Sequence, residues 1–310
     1  MTITNERILL IANPAAQRGN GKEAADTASR MLSEWLAVDT GSLECVFTER
    51  PRHAIELAAG ASTDRYDVVV ALGGDGVVHE VANGLMQLPA EKRPTFGLIP
   101  VGSGNDYART LGISEKLTEA LGQLVAGARR IHDVGVCNGE YFVETLSFGL
   151  DAAIALDTVE RRARTGQQGT VLYLFSGLDQ LLHHLDTFHA KATFDGQRTI
   201  ESDVHLLTVQ IGQTYGGGFR ICPEADPTDG MFDMCWADAP MSVPEATYKF
   251  LSAKNAHHTK FKNIHFDRAA TIELSFDRRP PCQIDGEAHV ADSYSISMVP
   301  SALSVIVAGK

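Results

Sequence analysis

The sequence predicts an α/β protein built as a doubly wound α/β domain over residues 1–132 followed by a β-rich, antiparallel sandwich-like domain over residues 133–296. Three observations predict it. The length of 310 residues is about twice that of a common single domain. The first 130 or so residues alternate strand-sized apolar runs with helical spacing, the order of a parallel sheet covered on both faces. After Ile131 the pattern becomes strands separated by tight-turn dipeptides. The last run, residues 297–310, is apolar enough to be a strand and can return to the first domain.

Taken in order, Ile8 to Ala12, Leu43 to Phe47, Asp67 to Leu72 and Thr95 to Ile99 are short runs rich in Val, Ile and Leu, each ended by Gly, Pro, Asn or a polar turn. Such uninterrupted apolar runs suit strands buried on both faces. Gly21 to Leu36, Arg52 to Ala59, Val77 to Leu88 and Ser114 to Ala126 carry helical spacing between and after them. In this architecture ligands bind outside the carboxyl ends of the strands. In the second half, Val134 to Val136, Tyr141 to Ser147, His189 to Phe194, Val204 to Gly212, Met231 to Ala237 and Ala270 to Phe276 read as strands. The dipeptides Asn138-Gly139, Asp195-Gly196 and Asp285-Gly286 favour tight connections between antiparallel strands. Asp151 to Arg164 and Gly169 to Leu185 read as helices interrupting the β pattern.

Composition narrows the function. Lys plus Arg total 27 against 39 Asp plus Glu, a net charge of −12, which argues against a nucleic-acid coat and predicts no nucleic-acid partner. No apolar run reaches the roughly 20 residues that span a bilayer. Met1 to Arg7 lacks a cationic segment leading into an apolar one, so the expected location is cytoplasmic. The five cysteines are scattered with no C-x-x-C pair, as expected of ordinary thiols in a reducing compartment. No G-x-S-x-G elbow points to a hydrolase.

The strongest local signal is Gly73-Gly74-Asp75-Gly76, directly after an apolar strand and before a helix. Consecutive glycines bring backbone N–H groups close to an anion, and the helix start adds its partial positive charge. Alone, the same residues also read as a tight turn with Asp75 as a cap. Two companions end neighbouring strands. Asn13-Pro14 leads through Gly19 and Gly21-Lys22 into a helix, without the Walker pattern, because Ala16 and Glu23 stand where Gly and Ser or Thr would be needed. Pro100 to Asp106 contributes two glycines, the Ser103 hydroxyl and the Asn105-Asp106 pair.

Together with Gly216-Gly217-Gly218 leading to Cys222 through Gly230, and Gln283-Ile284-Asp285-Gly286-Glu287, these ordered motifs resemble the diacylglycerol kinase catalytic domain superfamily, in its bacterial soluble lipid kinase form related to sphingosine kinases. The set is more specific than its parts, since G-G-D-G also occurs in NAD kinases. The resemblance implies ATP as phosphate donor, held by Asn13, Pro14, Thr48, Gly73, Gly74, Asp75, Gly76, Ser103, Asn105 and Asp106, with Asp75 near the catalytic Mg²⁺. It implies Glu287 as general base and Asp75 as its catalytic companion. It also implies a structural Mg²⁺ on the Asp229 carboxylate, with backbone oxygens of Asp226 and Met231. Val77 departs from the usual Thr after G-G-D-G, which removes a hydroxyl contact to phosphate and predicts weaker nucleotide binding.

Each of these residues has a plainer reading when taken alone: Asp285-Gly286-Glu287 is also a hairpin turn, and Asp229 also a solvated turn carboxylate. A membrane-derived lipid substrate calls for peripheral contact with the inner face of the membrane. Tyr248 to Arg268, with five basic residues among Phe250, Phe261 and Phe266, and the Arg161, Arg162, Arg164 cluster are candidates for it. A solvated helix face or a contact in a homo-oligomer fits them equally. Val171 to Leu182 is apolar enough to line an acyl-chain pocket. The expected function is transfer of the ATP γ-phosphate to a lipid hydroxyl, diacylglycerol or a related lipid. The alternatives are an NAD-kinase-like enzyme for a soluble hydroxyl compound and a non-catalytic nucleotide or lipid sensor.

Overall fold

The computed structural model describes residues 6–36, 42–165 and 170–309. Met1 to Asn5, Gly169 and Lys310, which enter the expectations above, lie outside the described residues. The chain divides into two compact units, residues 1–133 with 301–310, and residues 134–300.

The first unit runs β1 (Ile8–Ala12), α1 (Ala16–Leu36), β2 (Leu43–Phe47), α2 (His53–Ala59), β3 (Val68–Gly73), α3 (Asp75–Met86), β4 (Thr95–Pro100), α4 (Asp106–Thr110) and α5 (Leu117–Ala126). The strands form a parallel sheet in the order β4-β3-β1-β2. Every residue of β1, β3 and β4 is buried, which is why those runs show no alternation. Their side chains close a core with Ala25, Ala28 and Leu32 of α1 and Leu121 and Leu124 of α5. The expected helix over Ser114 to Ala126 is shorter and is preceded by α4, a single turn that the motif around Asn105 concealed.

β5 (Ala128–Cys137) carries the chain out of this unit. The second unit continues with β6 (Glu140–Phe142), β7 (Thr145–Gly149), α6 (Leu150–Thr165), α7 (Thr170–His183), β8 (Phe188–Phe194), β9 (Arg198–Gln210), β10 (Phe232–Asp238), α8 (Val243–Ala253), β11 (Ile264–Ala269), β12 (Thr271–Phe276), β13 (Cys282–Ile284) and β14 (Glu287–Ala288). The last strand, β15 (Ser293–Val307), starts here and ends in the first unit. β7, β9, β8, β12 and the start of β15 pair antiparallel in that order, with β10 and β11 branching from β9. β8 alternates inward Phe188, Ala190, Ala192 and Phe194 with outward His189 and Lys191, the signature of one buried face. All three expected hairpin dipeptides adopt positive φ at both positions: Asn138-Gly139 at 50° and 90°, Asp195-Gly196 at 50° and 66°, Asp285-Gly286 at 48° and 93°. The reading of the sequence missed α8, β11, β13 and β14.

Candidate active site

Four loops leave the carboxyl edge of the first unit's sheet, and backbone hydrogen bonds hold them in step. Thr48 N donates to Ala12 O (2.9 Å), Asn13 N to Leu72 O (3.0 Å) and Val101 N to Gly73 O (2.7 Å). The ends of β2, β1, β3 and β4 therefore present Thr48, Asn13, Gly73-Gly74 and Gly102-Ser103 side by side. The Asn13 side chain turns back, its Oδ1 accepting from Ala15 N (2.9 Å) at the entrance to α1.

The two glycine loops touch backbone to backbone. A Cβ added to Gly102 would lie 2.5 Å from Gly74 Cα and 2.6 Å from Asn105 Oδ1. A Cβ on Gly73 would lie 2.4 Å from Cγ1 of Val77, which is buried against it. No other residue type permits this approach. Val77 N and Val78 N donate to Gly74 O (3.1 and 3.3 Å), and by helix geometry the first amides of such a helix suit an anion.

Asp75 braces this arrangement. Its Oδ2 accepts from Asn105 N (2.9 Å) and its Oδ1 from Asp106 N (3.1 Å), so the carboxylate ties the start of α3 to the start of α4. Gly104 is required beside it, since a Cβ there would meet Asp75 Oδ2 at 2.3 Å. Asn105 sits in the left-handed region (φ 54°, ψ 36°), buried, and donates from Nδ2 to Gly102 O (3.1 Å). Asp106 holds Arg109 at 3.0 Å, and Arg109 also reaches Glu115 (2.5 Å). The expected ATP contacts on this unit, Asn13, Pro14, Thr48, Gly73 to Gly76, Ser103, Asn105 and Asp106, thus belong to one sheet edge. Within it the Asp75 carboxylate and the amides of Asn105 and Asp106 tie the loops together.

In the second unit, Glu287 opens β14 directly after the Asp285-Gly286 turn. That turn is locked from inside. Asp285 is buried; its Oδ1 accepts from Glu144 N and Thr145 N, each at 3.0 Å, and its Oδ2 accepts from Val143 N at 3.0 Å. Gln283 donates to Ser147 Oγ (2.7 Å) and accepts from Gly286 N (2.5 Å). The Glu287 side chain is exposed and makes no hydrogen bond or ion pair among the described residues, while its backbone pairs with Ile284. An unencumbered carboxylate on a rigid hairpin is what a general base requires.

Three expected magnesium positions lie on the turn before β10. Asp226 Oδ1 accepts from Thr228 N (3.0 Å) and Thr228 Oγ1 (2.6 Å), while Asp229 Oδ1 accepts from Met231 N (3.0 Å). Asp229 Oδ2 is paired with Arg268, whose Nε lies 3.4 Å from Asp233 Oδ2. Burial raises the Asp233 carboxyl above its ordinary value, and Arg268 opposes the rise. Among the described residues no three His, Cys, Asp or Glu side chains assemble into a metal cluster.

The same unit holds an apolar cavity of about 60 Å³ that the sequence did not announce. The sheet side is made by Thr208 of β9 and Cys235 and Ala237 of β10, and the helical side by Ile154 of α6 and Ala246 and Phe250 of α8. Asp151, in the first turn of α6, lines it and is only 9% exposed. Sequence reading passed over Asp151 because Gly149-Leu150-Asp151-Ala152-Ala153 looks like an ordinary helix start. The acyl-lining expectation for Val171 to Leu182 is not met at this cavity, because none of its lining residues comes from that stretch. The five cysteines are free thiols, and burial pushes Cys137 up to about 12, so it offers no nucleophile.

Comparison with known proteins accounts for both halves. Residues 7–137 match the diacylglycerol kinase catalytic domain, and residues 144–307 match the YegS C-terminal NAD kinase beta sandwich-like domain. The diacylglycerol kinase of Bacillus subtilis (strain 168) is 29% identical over 235 residues, covering 76% of this chain and 75% of that one. A Chromohalobacter salexigens protein named "Probable lipid kinase YegS-like" is 29% identical over 250 residues, covering 80% and 78%. In fold, the chain resembles a diacylglycerol kinase structure from Bacillus anthracis str. Sterne, with a TM-score of 0.74 at 22% identity over 98% of each chain. It also resembles an NAD kinase from Archaeoglobus fulgidus solved with ATP, with a TM-score of 0.51 at 13% identity over 98% and 93%. The chain thus joins a diacylglycerol kinase catalytic domain to a YegS C-terminal NAD kinase beta sandwich-like domain, and it belongs to the family that this second domain defines.

Proposed function

We propose that this protein is an ATP-dependent lipid kinase that transfers the γ-phosphate to a hydroxyl of diacylglycerol or a closely related lipid. The observation that carries the reading is the glycine-lined edge where Gly73-Gly74 and Gly102 leave adjacent strands with their backbones in close approach at the start of α3. Phosphoryl transfer asks for little beyond positioning, charge neutralisation and a group to take the attacking hydroxyl's proton. The amides at the start of α3 hold phosphate oxygens, Asp75 keeps the two loops in register, and Thr48 and Ser103 add hydroxyls on either side. Mg²⁺ entering with ATP supplies charge neutralisation of the phosphate oxygens. The lipid hydroxyl oxygen bonds to the γ-phosphorus as the bond to the β–γ bridging oxygen breaks, and Glu287 accepts the hydroxyl proton.

Lipid selection is assigned to the second unit. The cavity under α6 and α8 offers an apolar surface for hydrocarbon, and Asp151 supplies a buried acceptor for a head-group hydroxyl. At about 60 Å³ the cavity is far smaller than an acyl chain, so a chain would enter by parting α6 and α8 from the sheet. The test is incubation with γ-labelled ATP, Mg²⁺ and a total lipid extract. Label should move into the organic phase, and Ala246→Phe, which fills the cavity, should reduce transfer to long-chain acceptors about tenfold without changing ATP affinity. Label on a water-soluble acceptor alone would favour the soluble-substrate alternative, and no transfer at all a sensor.

We further assign membrane contact to the outer faces of α7 and α8. Phe175, Leu178 and Leu182, three and four residues apart, share one face of α7 and are 54%, 38% and 62% exposed. Tyr248 and Leu251 are exposed on α8, and α7 packs against α8 where Gly177 meets the Phe250 ring. Tyr248 also contacts Phe261, which Lys260 and Lys262 flank; both lysines are exposed and unpaired among the described residues. Apolar side chains beside free cations suit an anionic lipid surface. The expected basic segments contribute less than their charge count suggested, because Arg161 pairs with Asp157 and Asp179, Lys249 is buried on Glu245, and Arg268 is held by Asp229. In a flotation assay, Phe175→Glu with Leu182→Glu should cut binding to anionic vesicles at least tenfold. Undiminished binding would remove these helices from the docking face.

A further inference from the structure

The family resemblance places a structural magnesium on the turn from Asp226 to Met231, but the side chains present do not fit that ion. Of the two Asp229 oxygens, Oδ1 accepts from Met231 N (3.0 Å) and Oδ2 is paired with Nη2 of Arg268. Arg268 lies on β11 directly opposite Asp233 of β10 in the antiparallel ladder, and its Nε points to Asp233 Oδ2 at 3.4 Å. Asp226 Oδ1 accepts from both the amide and the hydroxyl of Thr228. One guanidinium therefore occupies the point where the two carboxylates converge.

The chemistry separates the two occupants. A guanidinium presents donors in a fixed fork and can serve two carboxylates at once with no further ligands. Mg²⁺ demands a near-octahedral shell of six oxygens, most of them waters when the protein offers one or two carboxylates. An ion bonded to Asp229 would also stand within a few ångströms of the Arg268 charge, beside an Asp233 that is 7% exposed and so poorly screened by water.

We infer that Arg268 takes the place of the structural cation in this chain: it ties the turn at Asp229 to the start of β10 at Asp233, so this part of the fold needs no divalent metal. The need for Mg²⁺ is then confined to the nucleotide. The inference stands apart from the kinase reading, because its test measures no phosphoryl transfer.

The experiment uses the full-length protein without nucleotide. Thermal unfolding in excess EDTA and in millimolar MgCl₂ should give the same midpoint for the wild type. Arg268→Gln should lower the midpoint by about 3 °C, the shift that the loss of one such pair produces in a domain of this size. Adding Asp229→Asn to it should lower the midpoint little further, because the pair is already broken. Mn²⁺ binding, read by water-proton relaxation, should be the same in the wild type and Asp229→Asn. A magnesium-dependent rise that appears only in Arg268→Gln would also support the inference, since the vacated carboxylates would then take the ion. If Arg268→Gln does not fold, Arg268→Lys, which keeps the charge but loses the fork, carries the same comparison. The inference is overturned if Mg²⁺ raises the wild-type midpoint and Asp229→Asn abolishes the rise, if Asp229→Asn removes a Mn²⁺ site, or if Arg268→Gln leaves the midpoint unchanged.

Discussion

Replacing Glu287 by Gln should lower phosphoryl transfer to lipid by about three orders of magnitude, within the range general-base removal usually gives. ATP affinity and the thermal midpoint should not move. The separation is expected because the Glu287 side chain bears no load in the fold: it is exposed and makes no hydrogen bond or ion pair among the described residues. The hairpin that presents it is held instead by Asp285, through three backbone amides, and by Gln283. Gln is close to Glu in size and keeps an acceptor oxygen but cannot take the hydroxyl proton, so the loss should fall on kcat rather than on KM. Steady-state kinetics with a dispersed diacylglycerol, alongside calorimetric titration of an unreactive ATP analogue, make the comparison. Turnover within tenfold of the wild type would exclude Glu287 as the base.

Gly102→Ala should act in the opposite way, through binding and stability together. The new methyl would lie 2.5 Å from Gly74 Cα, a contact with backbone that no rotamer change relieves. The loops must separate, and the separation strains the two bonds from Asp75 to the amides of Asn105 and Asp106. Overpacking of this kind costs about 1–3 kcal/mol in a well-packed site. Nucleotide affinity should fall at least tenfold, because the amides that face phosphate lose their spacing. Ser103→Ala, on the same loop but without the close approach, is the control and should leave stability unchanged. A Gly102→Ala protein that binds the analogue as tightly as the wild type would show that the contact between the glycine loops does not set the phosphate site.

The fold class was legible because the signals that announce it are local. Val68 to Leu72 is apolar throughout since β3 is buried on both faces, and Asn-Gly and Asp-Gly pairs tolerate the positive φ that their hairpins adopt. The glycine loops after β3 and β4 were legible for the same reason: each places glycines directly at the end of an apolar strand. What stayed hidden depends on partners distant in sequence. Asp285 looked like half of a turn dipeptide, yet its carboxylate anchors residues about 140 positions away. Arg268 looked like one charge in a basic stretch, while it serves a carboxylate 39 residues earlier. Asp75 looked like a phosphate or metal group, and only the fold reveals the two amides it binds. Helix α8 was missed because Lys249 and Lys254 drew the segment into a charge pattern, although Ala246, Lys249 and Ala253 form its buried face.

The final strand carries a consequence for how the protein is made. Val305 pairs with Phe96 of β4, Ile306 is packed in the same core as Ile8 and Leu72, and Arg93 donates to Ala302 O at 2.8 Å. The ribosome releases the β1-to-β4 region first, yet that region cannot close its sheet until a segment some two hundred residues later has emerged. The second unit, residues 134–300, is translated in full before the first is complete. Nascent chains stalled before Ser301 would expose the flank of β4 and the apolar side chains beneath Ile306, a surface for chaperones and proteases to read. The packing of the first unit is thereby tied to the emergence of residues 301–309.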